Sequence, residues 1–597
     1  MPATAIESSL QQHLQQAFKA VFNHEVAASS LQLQPTRKEF EGTHTFVVFP
    51  YLKVSRKKPE ETATLLGQHL VAHTPEVTAY QVVKGFLNIT LADGVWRNAL
   101  HTMATAGDYG QLPANGQKVL VEYASPNTNK PLHLGHLRTI FLGYSMSQIM
   151  KAAGYEVRMC NLVNDRGIHI CKSMLAYLRH GNGETPESAG IKGDHLVGRY
   201  YVQFDKDYKV EVAQLEAEGM EKEQAKKEAP SLKAAQELLL KWEAGDEETV
   251  ALWKQLNGWV YDGMNATYSK VGVYFDQFYY ESDTYLLGKD IVDEGLASGV
   301  FYRKEDGSVW ADLTEEGLDH KLVLRADGTS VYMTQDMGTS DLKYKDFAFD
   351  QSIYVVGNEQ DYHFKVLFQL MAKIGRSYAP GMYHLSYGMV DLPSGKMKSR
   401  EGTVVDADEL VDELHEKAKE QTTDLGKIAD FSETQFEELY HMLGLGAIKY
   451  FLLKVDPKRR MLFNPEESVD LQGNSGPFIQ YTHARTASIL RRAAQMELPL
   501  NAVPEVAELH ATELELIYLL SDFGRRIETA AKDYTPAVIA NYAYDVAKGY
   551  NRFYTEVSIF NEADQAKLHL RVALTNMVGL VIRKSLDLLG IKAPERM

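Results

Sequence analysis

The sequence predicts an α/β fold with a parallel sheet, preceded by a small α+β domain and followed by an all-α domain. A β-branched strand (KVLVEYA), a loop, a helical apolar stripe and a second apolar run (YEVRMCNLV) follow one another along the chain. This strand, loop, helix and strand imply two parallel strands joined by a right-handed crossover. Strand patterns return at QSIYVVGN and MYHLSYGMV, and helical periodicity dominates after about residue 430.

Three domains follow from these patterns. Residues 1–112 form the α+β domain, where a helical apolar stripe precedes the alternating strand GFLNITL and a break at QLPANGQK. Residues 113–430 hold the α/β unit, interrupted at about 180–260 by a charge-dense helical insertion that is typical of a solvated helix face. Residues 431–597 form the all-α domain. The N-terminal stripe consists of Ile6, Leu10, Leu14, Phe18 and Val21.

Composition restricts the class of protein. The 597 residues are 45% hydrophobic and 24% charged, which is typical of a soluble globular protein and excludes fibrous and disordered classes. Two cysteines, Cys160 and Cys171, build neither a disulfide framework nor a paired zinc pattern, so we expect no structural metal and a reducing, cytoplasmic location. Neither a bilayer-spanning stretch nor a signal peptide is recognisable. The net charge of −17 argues against nonspecific coating of nucleic acid but allows a local basic face.

The first chemically suggestive motif is PLHLGH at residues 131–136, located at a strand-to-helix turn. A helix N-terminus offers unpaired N–H groups and partial positive charge, so phosphate is its natural ligand. Gly135 would let a nucleotide approach the backbone closely, and His133 and His136 could donate hydrogen bonds to phosphate oxygens as charge develops. Two alternatives remain open for the histidine pair, namely ordinary capping or surface residues and a pair of metal ligands.

The second motif is SGKMKSREG at residues 394–402, directly after the predicted strand MYHLSYGMV. A glycine-flanked, lysine-rich loop at the carboxyl end of a parallel strand lies where open α/β sheets bind ligands. Taken alone, such a run is more often a solvated loop. Its position after HLGH, across the two halves of an interrupted sheet, favours a phosphate-binding function.

Together these motifs identify a family resemblance. HLGH resembles the HIGH signature of class I aminoacyl-tRNA synthetases, and KMKSR is similar to their KMSKS loop. VEYASPNTNKPLHLGHLRT, GTSVYMTQD, GNEQDYH, YTHARTASILRR and APERM resemble the arginyl-tRNA synthetase family across essentially the whole chain. The resemblance implies a Rossmann-type catalytic domain at residues 113–430, a tRNA-contacting N-terminal domain at 1–112 and an anticodon-binding helical domain at 431–597.

The resemblance also implies roles in ATP binding. The residues that would bind ATP are Lys130, His133, Gly135, His136, Lys396 and Ser399, of which Lys130, His133, His136 and Lys396 are expected to be catalytic. Ser399 stands where the class usually carries a second lysine. In this family Lys130, just upstream of HLGH, is expected to supply the missing cation.

The arginine-binding residues that the resemblance implies are Glu122, Asn127, Tyr332, Asp336 and Gln360. Chemistry supports this set independently, because a guanidinium is a planar, permanently charged fork of donors that needs carboxylates and neutral acceptors. Each acid taken singly could instead be an exposed surface residue. Tyr332 and Asp336 would share a face in a helix but not in a strand, and the sequence does not decide between these.

Two further features bear on substrates. In NDRGIHIC, Arg166 stands where the family more often has tryptophan. The helical domain carries basic clusters that suit RNA phosphates, together with tyrosines that suit base stacking, although most of these tyrosines are expected to be core. The basic clusters are Lys454, Lys458, Arg459 and Arg460; Arg485, Arg491 and Arg492; and Arg525 and Arg526. The tyrosines are Tyr481, Tyr542, Tyr544, Tyr550 and Tyr554.

The resulting expectation is an arginine–tRNA ligase that uses ATP with Mg²⁺, takes arginine and tRNA(Arg) as partners, does not contact membranes and acts as a monomer. Two alternatives remain. One is another class I synthetase or a small nucleotidyltransferase; the all-α third disfavours a small transferase, and the lack of a cysteine metal set disfavours a cysteine-specific enzyme. The other is a synthetase-like RNA-binding or regulatory protein without catalysis, against which His133, His136, Lys130 and Lys396 weigh.

Overall fold

The structure, a computed structural model, describes residues 3–37, 39–391, 405–424 and 431–597. Two of the predicted ATP-binding residues, Lys396 and Ser399, lie outside the described residues. Within the described ranges, no helix combines the length and the apolar character needed to cross a membrane.

The N-terminal domain packs helices on one antiparallel sheet. Its elements are α1 (Ala3–Phe22), β1 (Leu33–Pro35), β2 (His44–Val47), α2 (Leu52–Ser55), α3 (Pro59–His73), β3 (Val77–Val83), β4 (Phe86–Leu91) and α4 (Asp93–Thr105). The strand order is β1-β2-β4-β3 among the described residues. Ile6, Leu10, Leu14 and Phe18 are buried, which confirms the predicted apolar face of α1, and Val21 at its end is partly buried.

The α/β unit follows. Its elements are β5 (Lys118–Glu122), α5 (Leu134–Ala152), β6 (Glu156–Val163), α6 (Ile168–His180), α7 (Pro186–Ala189), α8 (Gly193–Ala217), α9 (Lys222–Glu228), α10 (Pro230–Glu243), α11 (Glu247–Lys270), β7 (Gln277–Tyr280), α12 (Glu281–Thr284), α13 (Lys289–Ala297), β8 (Phe301–Arg303), β9 (Val309–Ala311), β10 (Lys321–Leu324), α14 (Tyr332–Asp346), β11 (Gln351–Gly357), α15 (Asp361–Lys373), β12 (Met382–Tyr387), β13 (Val390–Asp391) and α16 (Ala407–Asp424). The charged insertion is helical, as predicted, from α7 to α11.

The central sheet is parallel, with the strand order β12-β11-β5-β6-β7 within the described part of the chain. The chain moves outward from β5 to β7 on one side and from β11 to β12 on the other, so the order reverses between β5 and β11. Open α/β sheets bind ligands beyond the carboxyl ends of the strands at such a reversal. The sequence patterns predicted β5, β6, β11 and β12, but not β7 or the small antiparallel sheet β10-β9-β8.

The C-terminal domain is helical. Its elements are α17 (Glu433–Leu453), β14 (Met461–Leu462), α18 (Pro465–Ser468), α19 (Gly476–Gln495), α20 (Ala511–Ser521), α21 (Phe523–Lys532), α22 (Ala537–Glu556) and α23 (Gln565–Leu588). The two-residue strand β14 pairs with β13, so contacts with the α/β unit continue beyond residue 430. The Ser145 hydroxyl on α5 donates to the Leu588 carbonyl at the end of α23, 2.8 Å away. The helical domain therefore rests on the helix that begins at HLGH.

Candidate active site

The predicted site residues follow strands that end at one edge of the sheet. Asn127, Lys130 and the HLGH motif come after β5, and Gln360 comes after the neighbouring strand β11. Asp336 lies on α14, the helix that precedes β11. Parallel strands direct the segments that follow them to the same edge, so residues distant in sequence meet beside the strand-order reversal.

His133 and His136 are held by the backbone at the start of α5. His133 is the N-cap residue, and its Nδ1 accepts a hydrogen bond from the Gly135 amide at 3.1 Å. The Nδ1 of His136 accepts from the His133 amide, also at 3.1 Å. A neutral imidazole that accepts at Nδ1 carries its proton at Nε2. Both rings therefore have an Nε2–H group left to donate.

The environment keeps both imidazoles neutral. Burial lowers the pKa of His133 to about 4, with the Lys130 cation adding to the shift and Asp406 opposing it. Burial also holds the pKa of His136 well below its ordinary value, and His133 and Lys130 lower it further. At neutral pH these residues are uncharged, preorganised donors, the type of group that stabilises charge developing in a transition state. The capping role expected under the alternative interpretation is thus present together with an arrangement suited to catalysis.

A cavity of about 250 Å³ opens at this point. Its lining includes Lys130, His133, Gly135 and His136, together with Val356 from β11. A Cβ atom added to Gly135 would lie 3.0 Å from Cε1 and 3.1 Å from Nδ1 of the His133 ring. Any side chain at position 135 would therefore press on the histidine, which is a local reason for glycine in HLGH.

The loop between β5 and this motif has an unusual backbone. Ala124 and Ser125 have φ values of +74° and +42°, a left-handed region that non-glycine residues seldom adopt. The Ser125 amide donates to the Asn161 side chain at 3.1 Å, and the Asn164 side chain donates to the Ser125 carbonyl at 3.2 Å. Two asparagines of β6 and the segment after it thus fix the loop, and strained backbone of this kind concentrates at functional sites.

The segment after the undescribed loop is bonded to HLGH. The Leu134 amide donates to the Val405 carbonyl at 3.1 Å, and the Ala407 amide donates to the Leu132 carbonyl at 3.0 Å. The segment brings Asp406 to His195, whose Nε2 is 3.1 Å from the carboxylate.

Together with Asp408, His195 and Asp406 form the only group of metal-ligand type that the described residues contain. The Lys192 ammonium lies 2.5 Å from the Asp408 carboxylate. We therefore assign this group as an ion-pair network that joins α8 to the start of α16.

Glu122 lies in the interior at the end of β5. Its side chain is 6% exposed and forms an ion pair with Lys343 of α14, which is 2% exposed. Burial alone would lower the pKa of Lys343, but the attraction of Glu122 raises it above its ordinary value. The charge of Glu122 is therefore already balanced within the protein, which the sequence did not reveal.

Tyr332 and Asp336 lie one turn apart in α14, so the helical alternative is the correct one and they share a face. Tyr332 is 72% exposed. The Asp336 carboxylate is half-buried, and its Oδ2 is 2.6 Å from Nε2 of His363 on α15. Asn127 and Gln360 are exposed at the same edge of the sheet. The structure thus leaves Asp336 more accessible than Glu122.

Sequence reasoning missed Glu281, the first residue of α12 after the unpredicted strand β7. Desolvation raises the pKa of Glu281 to about 7, Arg166 lowers it, and Asp165 and Asp336 raise it. A strongly shifted carboxyl group directly after a strand of the central sheet is a candidate for function. The signal that could have found Glu281 is its position directly after a strand of the sheet. That strand, QFYY, is too short to be recognised from its sequence pattern.

The basic clusters of the helical domain differ in their pairing. Arg525 and Arg526 donate to Asp522 at 2.5 and 2.7 Å. Arg492 instead stacks over the Phe560 ring, 4.3 Å from its centroid. Tyr542 and Tyr550 are buried, as expected of core tyrosines, whereas Tyr554 is exposed. Arg492 of the middle cluster therefore lies against an aromatic ring, where Arg525 and Arg526 lie against a carboxylate.

Comparison with known proteins places the chain in a family. The family model for the catalytic domain of class I (R) tRNA synthetases matches residues 100–464. The models for the DALR anticodon binding domain and the arginyl tRNA synthetase N terminal domain match residues 479–597 and 5–91. The fold and the HLGH site therefore define a class I tRNA synthetase.

Full-length relatives narrow this class. Arginine–tRNA ligases of Amoebophilus asiaticus and Bacteroides thetaiotaomicron are 55% and 53% identical, and each alignment covers 99% of this chain and 100% of the relative. The solved Thermus thermophilus arginyl-tRNA synthetase superposes with a TM-score of 0.78 at 25% identity, covering 99% of both chains. The chain belongs to the arginine–tRNA ligase family.

Proposed function

We propose that this chain activates arginine with ATP to form arginyl-adenylate, and then transfers the arginine to the 3′ terminal adenosine of tRNA(Arg). The observation that carries this proposal is a pair of neutral, Nε2-protonated histidines at a helix N-terminus, located at the same sheet edge as half-buried acids. The first group of residues suits a phosphate and the second suits a guanidinium.

At the nucleotide end, the arginine carboxylate would attack the α-phosphate of ATP and pyrophosphate would leave. Negative charge then builds on the α-phosphate oxygens, where the Nε2–H groups of His133 and His136 would donate. Lys130, Lys396 and Ser399 would hold the β- and γ-phosphates. The described lining of the cavity contains no carboxylate, so Mg²⁺ would enter with ATP, bound mainly by its phosphates.

At the amino-acid end, we propose Asp336 as the acid that pairs with the substrate guanidinium. Tyr332, Asn127 and Gln360 would complete the site as neutral hydrogen-bonding groups. Glu122 would contribute through the buried pair with Lys343, which fixes the end of β5 against α14. This division follows from accessibility, because the Asp336 side chain is 35% exposed and the Glu122 side chain is 6% exposed.

The test is to charge total tRNA with each of the twenty amino acids in separate radiolabelled assays. Only arginine should be attached, and omission of ATP should abolish the reaction. A parallel ATP–pyrophosphate exchange assay, with and without tRNA, would show whether activation requires the tRNA, as we expect. Charging of a different amino acid, or none with intact ATP and tRNA, would refute the proposal.

A further inference from the structure

The charged helical insertion, which its sequence pattern describes only as a solvated helix face, is joined by ion pairs to the start of α16. Nε2 of His195 on α8 is 3.1 Å from the Asp406 carboxylate. The Lys192 ammonium, at the N-cap of α8, is 2.5 Å from the Asp408 carboxylate. Both aspartate side chains are 14% exposed, so these pairs are partly shielded from water. The insertion therefore contacts the chain shortly after the SGKMKSREG motif through opposite charges.

A second helix of the insertion, α11, contacts the same part of α16. The Lys270 ammonium at the end of α11 is 2.7 Å from the Asp412 carboxylate. The Thr267 hydroxyl accepts from the Lys192 ammonium at 2.6 Å and donates to the Asp408 carboxylate at 3.1 Å. Two helices of the insertion thus hold the first turns of α16.

Asp406 is also paired with the HLGH motif through the backbone. Two amide–carbonyl hydrogen bonds between residues 132–134 and residues 405–407 flank His133 and Asp406, which form an isolated antiparallel bridge. In a pair flanked by hydrogen bonds in this way, the two Cα atoms are only about 4.5 Å apart and the side chains lie on the same side. A displacement of Asp406 would therefore be transmitted to His133.

The Asp406 carboxylate is engaged at both oxygens. Oδ1 accepts from the Asp408 and Glu409 amides at 2.8 and 3.1 Å, which caps the N-terminus of α16. Oδ2 is the oxygen that faces His195. This one residue therefore joins α16 to the insertion by its side chain and to the start of α5 by its backbone.

We propose that His195 is a positioning residue for adenylate formation, because its ion pair with Asp406 fixes the backbone bridge that orients His133. The inference rests on the proposed function, in which the Nε2–H group of His133 donates to the α-phosphate of ATP. His195 is not among the described residues that line the nucleotide cavity, so it would act through His133 and not on the substrate. The insertion would thus support the HLGH histidines from outside the site.

The experiment measures single-turnover formation of arginyl-adenylate by rapid quench, with α-labelled ATP and a tRNA whose oxidised 3′ end cannot accept arginine. The rate constant reports the geometry of the active molecules, and the amplitude reports the fraction of molecules that are active. We expect His195→Gln to lower the rate constant roughly three- to tenfold, since misplacement of a reacting group by about 1 Å can cost up to roughly 10²-fold. The amplitude and the arginine concentration at half-maximal rate should stay unchanged.

Further variants separate the ion pair from the helix cap and from general loss of charge. Asp406→Asn removes the charge but keeps the cap of α16, because Asn caps a helix about as well as Asp. It should slow the reaction as much as His195→Gln, and the double variant should be no slower than either single variant. Lys270→Met removes a cation whose partner lies farther along α16 and should have a smaller effect. Lys209→Met is the control on α8, because Lys209 pairs with Asp205 of the same helix.

The possible outcomes distinguish positioning from stability. A lower amplitude with an unchanged rate constant in His195→Gln would show that the residue only stabilises the fold, and would overturn the inference. Additive losses in the double variant, or an equal loss in Lys209→Met, would overturn it as well. A wild-type protein that forms no arginyl-adenylate would instead overturn the proposed function.

Discussion

The nucleotide end and the amino-acid end of the candidate site are built in different ways. His133 and His136 are neutral, and backbone amides within one helical turn fix both rings. At the amino-acid end, side chains from segments distant in the chain pair with each other. Asp336 and His363 are 27 residues apart, and Glu122 and Lys343 are 221 residues apart.

This difference explains why the nucleotide end of the site can be predicted from a sequence motif and the amino-acid end cannot. Neutral donors need only local hydrogen bonds to hold them. The four-residue HLGH motif therefore contains most of what orients the two histidine donors. Buried charges need a counter-charge, since desolvation otherwise makes them strongly unfavourable. That counter-charge comes from whichever segment the fold brings near, and a motif cannot specify it.

The largest expected effect is on stability. Glu122→Gln would leave the Lys343 ammonium buried without its partner, which typically destabilises a protein by roughly 3 to 5 kcal/mol. Urea unfolding would measure this, and Glu122→Gln combined with Lys343→Met should recover much of the loss. Full stability of the single variant would show that the amino-acid end does not depend on this pair.

The next effect is on catalysis at the nucleotide end. His133→Ala should slow adenylate formation by roughly 10² to 10³, the usual loss for one preorganised donor, with little change in arginine binding. His133→Asn retains a good N-cap and should restore stability without restoring rate, while the exposed His101→Ala serves as control. Rapid-quench rates within tenfold of wild type would contradict the role of the Nε2–H group.

Asp336→Asn tests the amino-acid end directly. It keeps the shape but removes the charge, and hydrogen bonds to charged groups contribute roughly 1.5 to 3 kcal/mol. We expect kcat/KM for arginine to fall roughly 10- to 100-fold, with the KM for ATP nearly unchanged and neutral citrulline affected much less. The exposed Asp290→Asn is the control. A raised KM for ATP would instead indicate that Asp336 acts at the nucleotide end of the site.

Substitution of Lys130 tests whether the nucleotide end depends on a cation supplied from outside the KMKSR loop. Lys130→Ala should be about as damaging as Lys396→Ala, with losses of roughly tenfold or more in activation. Ser399→Lys should partly rescue Lys130→Ala by restoring a cation. Full activity of Lys130→Ala in a pyrophosphate-exchange assay would end the compensation hypothesis.

The smallest effect concerns tRNA. Arg492→Ala should lower the slope of log affinity against log salt by roughly 0.7 to 0.9 if this side chain contacts one phosphate. Arg526→Ala is the matched comparison and should change the slope less, because Asp522 already balances this residue. Filter binding across a salt series would measure both, and equal slopes for the two variants would refute the distinction.

The parts of the fold that the sequence predicted are those with a strong local signal. The apolar stripe of α1, the strands β5, β6, β11 and β12 and the helical C-terminal domain all appear in the structure. The strand β7 was missed because its four residues carry no pattern distinct from a loop, although its pairing with β6 completes the sheet. Glu281 was missed for the same reason, since its position depends on that strand.

By itself, the sequence determined the residue types suited to phosphate and guanidinium and, through motifs that resemble those of a known family, the class of protein. These are contained in short contiguous segments of the chain. Only the tertiary structure decided that Glu122 is paired with Lys343, that Tyr332 and Asp336 share a helix face, and that the Arg166 guanidinium stacks on the Tyr285 ring. The physical reason is that burial and charge pairing are properties of neighbours in space. A sequence gives the charges, and the fold decides which of them remain available to a substrate.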